Sequence, residues 1–356
     1  MKILNVTKQF EDKIFGGVEN LIDQISLNSK KLGIISDVYT LKKKKIKKKK
    51  YKVFFDKQHF SFFSTPISLN CFYNFYKTSK KYDIINFHFP WPFMDILSFL
   101  VQNKKILITY HSDIINKNFF YYIYFPFMFL FFLRSKKIVV TSKQYFNSSF
   151  FLKFFKKKIK IIPIGIKQFS FFRKPKKKIY KKYFIFVGNL RDYKGLKYLI
   201  EAFKSIDCNL IIVGNGKENK IVKENIKNRS NILHLTHVSE SEKAFLIKNS
   251  LGLILPSIDR REAFGIALIE ASSLGKPLIS TKVNSGSSFI NLNYKTGLEI
   301  KPKSVSNIIK ACNFLIKYKK KNQKMGHNSY NRFKKNFTIE VMIKKYFELF
   351  VSFKSN

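Results

Sequence analysis

The run REAFGIALIEASSLGKPLI (261–279) carries the most concentrated chemistry of this 356-residue sequence, with Glu262 and Glu270 separated by seven residues. The small and apolar residues between them predict a helix beginning near Gly265. Glu262 then falls in the loop ahead of that helix, and Glu270 lies one to two turns inside it. A helix start offers free N–H groups and the positive end of its dipole to a phosphate, and glycine at 265 permits close approach. A carboxylate one turn deeper can accept hydrogen bonds from two sugar hydroxyls. A second cluster, VGNLRDYKGLKYLI (187–200), sets Gly188 at the end of an apolar run, with Arg191 and Lys194 just before a helix starting near Gly195. Two cations beside a helix start would hold a diphosphate and stabilise it as a leaving group. A third set lies earlier in the chain: Gly16 and Gly17 in a loop, and His111 and Asp113 in TYHSDII (109–115). His88, in FHFPWP (87–92), is read as shaping its surroundings between two prolines.

These residues need a scaffold, and the alternation of short apolar runs with helical stretches predicts one. In the first half the runs Ile3–Val6, Ser36–Leu41, Asp83–Phe87, Ile106–Thr109, Lys137–Thr141 and Ile159–Pro163 read as strands. A helix from Val18 to about Leu32 with Gly33 as its cap follows the first of them. In the second half Tyr183–Val187, Asn209–Val213, Asn231–Leu235, Gly252–Pro256 and Pro277–Ser280 read as strands, with helices between. Strand–helix alternation of this kind means doubly wound α/β domains with parallel sheets. The expected division is a domain over 1–168, a basic linker over 169–182, a second domain over 183–336, and a closing helix over 337–356. The uncharged segment FFYYIYFPFMFLFFL (119–133) is shorter than the ~20 residues a membrane span needs. With Pro126 inside, it is expected to form a buried or interfacial pair of helices.

The run at 261–279 resembles the E-x7-E signature of retaining, nucleotide-sugar-dependent glycosyltransferases of the GT-B fold, glycosyltransferase family four. GGVE (16–19) is similar to that family's glycine-rich loop, TYHSDII to its histidine strand end, and VGNLRDYKGLKYLIEAF (187–203) to its phosphate-binding segment. FTIEVMIKKYFELF (337–350) is similar to the closing helix, which in that family crosses back onto the first domain. The resemblance implies two Rossmann-like domains facing across a cleft. It implies a catalytic set of His111, Arg191, Lys194 and Glu262, and donor contacts from Gly16, Gly17, Asp113, Gly188, Phe264, Gly265 and Glu270. His111 would face the sugar and donate from Nε2 or its main chain. One departure is Asn189, where the family often has arginine, which leaves the leaving group to Arg191 and Lys194. The implied chemistry is front-face transfer of a hexose, with the departing phosphate oxygen taking the acceptor's proton. The implied donor is GDP-mannose first and a UDP-hexose second. The acceptor would be a bacterial surface glycan, lipid-linked, and no metal cofactor is expected. No DxD triplet occurs.

A formal charge of +46 raises nucleic acid as a rival partner. The charge is spread evenly and consists of 61 Lys against 7 Arg, whereas base and phosphate readers favour arginine forks. No nucleic-acid-binding motif accompanies it. Drift toward AT-rich codons and attraction to an anionic membrane both fit, the second supported by the tract 41–54 and by Lys117, Arg134, Lys136 and Lys137 around the aromatic segment. A degenerate scaffold that keeps the fold without the chemistry is a further rival, opposed by the persistence of Glu262, Glu270 and Lys194. Three scattered cysteines (Cys71, Cys208, Cys312) make no disulfide framework and suit a reducing compartment. The start MKILNVTKQF has no secretory apolar stretch, so a cytoplasmic, peripheral location is expected.

Overall fold

The runs ILNVT (3–7) and YFIFV (183–187) are buried along their whole length, as strands covered on both faces must be. The computed structural model describes residues 1–10, 17–42, 49–62, 65–114 and 119–353. The strands, in chain order, are β1 (Lys2–Thr7), β2 (Ile35–Lys42), β3 (Val53–Lys57), β4 (Phe60–Phe62), β5 (Thr65–Ile67), β6 (Ile84–Phe89), β7 (Ile106–Tyr110), β8 (Lys137–Val140) and β9 (Ile159–Ile161). They continue as β10 (Tyr183–Val187), β11 (Asn209–Val213), β12 (Ile232–Leu235), β13 (Leu253–Leu255), β14 (Leu278–Thr281) and β15 (Gly297–Ile300). Two parallel sheets result, ordered β3-β2-β1-β6-β7-β8-β9 and β12-β11-β10-β13-β14-β15, with β4-β5 a separate antiparallel pair.

The chain forms two compact units, one of Met1–Thr141, Ser149–Ile164 and Ile339–Asn356, the other of Ser142–Ser148 and Gly165–Thr338. The helix Lys143–Ser148 lies within the span 1–168 expected for the first domain, yet it groups with the second unit. Arg260 explains this: it donates to the Ser148 carbonyl at 3.0 Å and its guanidinium stands 4.9 Å from the Tyr145 ring centre. In the first unit, the helix Ile339–Val351 lays Met342, Tyr346 and Phe350 on a core with Ile3, Leu107 and Val139.

In each sheet strand order reverses once, between β1 and β6 in the first and between β10 and β13 in the second. Open α/β sheets bind ligands outside the carboxyl ends of strands at such reversals.

Residues 119–133 do not split into two helices. One helix, Phe119–Arg134, runs through Pro126. Proline there removes the bond to the Tyr122 carbonyl, but both residues are exposed, so no polar group is stranded in the core. One side of this helix is buried at Met128, Phe131 and Phe132. The other side carries Phe119 (73% exposed), Tyr122 (64%), Ile123, Phe127, Leu130 and Leu133, without a charge among them. Surface helices ordinarily turn polar residues outward. Of the basic residues expected around these features, 43–48 and Lys117 lie outside the described residues. Among those described, no helix is long and apolar enough to cross a membrane.

Candidate functional site

In the second unit, the loops after β10 and β13 meet at the strand-order reversal. The Ile258 amide donates to the Tyr193 carbonyl at 2.8 Å, and Arg261 bridges Asp192 at 2.6 Å while clasping Asp259 at 2.7 Å. Arg261 therefore ties the loop after β10 to the loop bearing Glu262. Gly195 makes the closeness possible: its φ is +70°, and a Cβ there would lie 2.1 Å from the Pro256 carbonyl oxygen.

This stitching brings Lys194 to Glu262. Its Nζ lies 2.5 Å from Glu262 Oε2, which also accepts from Ser257 Oγ at 2.8 Å. Glu262 is only 6% exposed, so its carboxylate holds Lys194 at the reversal instead of facing bulk water. Gly188 adjoins the same ammonium, since a Cβ there would come within 3.7 Å of Lys194 Nζ. Arg191 is exposed at the mouth of this loop, and Asn189 beside it is exposed too.

The expected helix forms over Ile266–Ser273, with Gly265 as its N-cap at φ +89°. Glu270 sits on it and accepts from Lys243 at 2.8 Å. Burial pushes the Glu270 carboxyl up, with Lys243 opposing. Burial pulls the Lys243 ammonium down, but Glu270 and Glu240 together outweigh it and keep it protonated. Phe264 is buried: its ring packs edge-on to Phe337 at 6.4 Å and fills the space a side chain at position 286 would need. Lys243 and Ser257 were not legible as site residues, because nothing distinguishes one lysine among 61 or one serine in a strand end.

In the first unit, Gly17 opens the helix Gly17–Ser29, while Gly16 lies outside the described residues. Asn5 on β1 is in register with Asn86 on β6, and His88 with Thr109 on β7, so their side chains share one sheet face beside the strand-order reversal. His111 follows β7 and its Nε2 lies 2.9 Å from His88 Nδ1, the two rings stacked at 5.2 Å. The His111 amide already donates to the Phe89 carbonyl. Both groups from which the sequence has His111 donating, Nε2 and the main-chain N–H, are thus engaged within the protein. Burial, then the charge of Lys8, lowers the His111 pKa to about 4, and burial, then His111, pulls His88 well below its usual value. Asp113 accepts at Oδ1 from Tyr110 at 2.6 Å and from Ser149 at 3.0 Å. No cluster of His, Cys, Asp or Glu among the described residues could hold a metal ion.

Two doubly wound parallel units, the second with a lysine–glutamate pair and a glycine-capped helix at its strand-order reversal, fit a glycosyltransferase of the GT-B fold. Residues 167–332 match the family described as glycosyl transferases group 1, and residues 15–167 match glycosyltransferase family 4. The chain is 33% identical to O-antigen chain mannosyltransferase C of Escherichia coli, over 99% of this chain and 98% of that protein. It is 32% identical to D-rhamnosyltransferase WbpZ of Pseudomonas aeruginosa, over 95% and 92%. Sucrose-phosphate synthase from Thermosynechococcus elongatus shares the fold with a TM-score of 0.79 at 17% identity, covering 99% of both chains. The chain belongs to the group 1, family 4 glycosyltransferases.

Proposed function

We propose that this glycosyltransferase moves a hexose, mannose from GDP-mannose, with retention of configuration to a hydroxyl of a lipid-linked surface glycan of the O-antigen type. The observation that carries the reading is the Lys194–Glu262 pair, which joins the loops after β10 and β13 beside the strand-order reversal, with Gly265 capping and Glu270 riding on the helix that follows. In this reading the helix start at Gly265 and the cations Lys194 and Arg191 receive the diphosphate. Glu270 accepts from the ribose hydroxyls. Glu262 holds Lys194 in place, so the charge that grows on the leaving phosphate meets a fixed ammonium. The C1–O bond to the diphosphate breaks as the acceptor oxygen bonds to C1 on the same face, and the departing oxygen takes the acceptor's proton. These cations and the helix start do the work a divalent ion would otherwise do, so no metal is required. The choice of mannose rests on the similarity to the Escherichia coli mannosyltransferase, and a UDP-hexose is the second donor class. Thermal shift of the purified chain against a panel of nucleotide sugars tests the donor. GDP-mannose should give the largest stabilisation, and a flat response to every guanosine and uridine sugar would defeat the reading.

The acceptor's lipid linkage is supported by the outward face of Phe119–Arg134. That face is apolar along its length, Phe150 and Phe154 extend it, and the exposed Lys153, Lys156 and Lys157 adjoin it. Aromatic side chains flanked by lysines suit the interface of an anionic bilayer, each lysine contributing about 1 kcal/mol near the surface. The chain should float with anionic liposomes at low salt and detach at high salt. Equal recovery on neutral vesicles, or none on anionic ones, would refute attachment.

A further inference from the structure

The buried polar chain of the first unit has a direction, and a backbone carbonyl sets it. Asn5 Nδ2 lies 3.2 Å from the Asp37 carbonyl oxygen and 2.9 Å from Ser36 Oγ. A carbonyl only accepts, so the Asn5 amide turns its NH2 toward Asp37 and its Oδ1 toward Asn86. Asn86 Nδ2 donates to that Oδ1 at 2.9 Å, while Asn86 Oδ1 accepts from Thr109 Oγ1 at 2.8 Å. The second hydrogen of Asn86 Nδ2 then points at His88 Nε2, 3.2 Å away. The competing arrangement has His88 Nε2 donate to Asn5 Oδ1. It is longer, at 3.4 Å, and would press its hydrogen against the Asn86 NH2. His88 Nε2 therefore accepts, and a neutral His88 carries its hydrogen on Nδ1, facing His111 Nε2 at 2.9 Å.

We propose that His88 is a positioning residue that places the hydrogen of His111 on Nδ1, so that His111 meets its ligand as an Nδ1–H donor with no Nε2 proton to offer. The ligand group it suits is an oxygen with a free lone pair, a hydroxyl of the transferred sugar, which rests on the reading above that His111 faces the sugar. Among the described residues, no hydrogen bond occupies His111 Nδ1, and the ring is half-buried. Both rings are neutral at pH 7 because burial disfavours their charged forms, so the direction of the chain persists through turnover conditions. The sheet itself enforces the geometry: the register of β1, β6 and β7 fixes Asn5, Asn86, His88 and Thr109 as neighbours, and His111 stands one residue beyond the end of β7.

The test uses the full chain labelled with ¹⁵N-histidine, in which long-range ¹⁵N–¹H correlation separates protonated from bare ring nitrogens. His111 should show a protonated Nδ1 and a bare Nε2, with His111→Gln used to assign its signals. A proton on His111 Nε2 in the wild-type chain overturns the proposal. Kinetics give a second readout. His88→Leu should lower kcat/KM about tenfold, the loss of one oriented hydrogen bond, while His88→Asn keeps an N–H near the place of Nδ1 and should recover most of that loss. Equal loss in the two variants, each checked for wild-type melting, overturns the positioning role. Full activity in His111→Ala would instead defeat the sugar-facing reading, and the NMR result alone would then decide where the proton sits.

Discussion

Replacing Glu270 by alanine should separate the donor site's stability from its affinity. Glu270 and Lys243 are 13% and 14% exposed and pair at 2.8 Å. Removing one partner of a buried pair costs about 3–5 kcal/mol when the other charge is stranded. Lys243 would keep Glu240, at 2.9 Å but 78% exposed, so the lower end of that range applies. For a unit of this size about 3 kcal/mol lowers Tm by roughly 6–12 °C. Loss of the proposed ribose contacts adds a loss in binding: charge-assisted hydrogen bonds are worth about 1.5–3 kcal/mol each, so nucleotide affinity should fall by tenfold or more. Lys243→Met makes the contrast. It also destabilises the fold and removes what opposes the rise of the Glu270 carboxyl, but the side chain stays in place, so nucleotide affinity should fall less than in Glu270→Ala. Calorimetry with GDP and UDP on both variants reads the difference. Unchanged affinity in Glu270→Ala, or parallel loss in both variants, would refute the assignment of Glu270 to the nucleotide.

Lys194→Ala and Arg191→Ala should each lower kcat by more than they weaken nucleotide binding, because charge on the leaving phosphate grows in the transition state. Full turnover in Arg191→Ala beside a crippled Lys194→Ala would make Arg191 a surface residue. Asp95 offers a test of the first unit: burial, opposed by a 2.5 Å hydrogen bond from Tyr124, pushes its carboxyl from 3.8 to about 8. Between those values the folded state holds a proton that the unfolded state has lost, so rising pH destabilises it by about 1.4 kcal/mol per unit. Asp95→Asn removes that dependence. Its Tm advantage over the wild type should grow from pH 5 to pH 8, and a constant difference would show that Asp95 ionises normally.

How far the sequence could be read depended on whether an element's signal was local. Strands β10 and β11 were legible residue for residue, because YFIFV and NLIIV are continuous apolar runs between polar punctuation. Strand β3 was missed, its five residues VFFDK standing just beyond the lysine tract. The helix Lys319–Asn336 was missed as well, since it buries only Met325, Gly326, Ser329 and Phe333 in eighteen residues and shows no apolar stripe. Pro126 signalled a break that its position on an exposed helix side made unnecessary. The helix that begins at Gly265, with Glu262 in the loop ahead of it and Glu270 on it, was readable from spacing within one run. The pairing of His88 with His111 was not, because 23 residues separate them and only the register of β6 with β7 makes them neighbours.

The central claim is retaining transfer from a nucleotide sugar through the second unit's donor site. Incubating the chain with α-configured GDP-mannose, a lipid-linked glycan acceptor and excess EDTA, and reading the new anomeric centre by NMR, tests it most directly. The account predicts an α-mannoside, formed at the same rate with or without the chelator and lost in Lys194→Ala. A β-linked product, or activity abolished by EDTA and restored by a divalent ion, would contradict it.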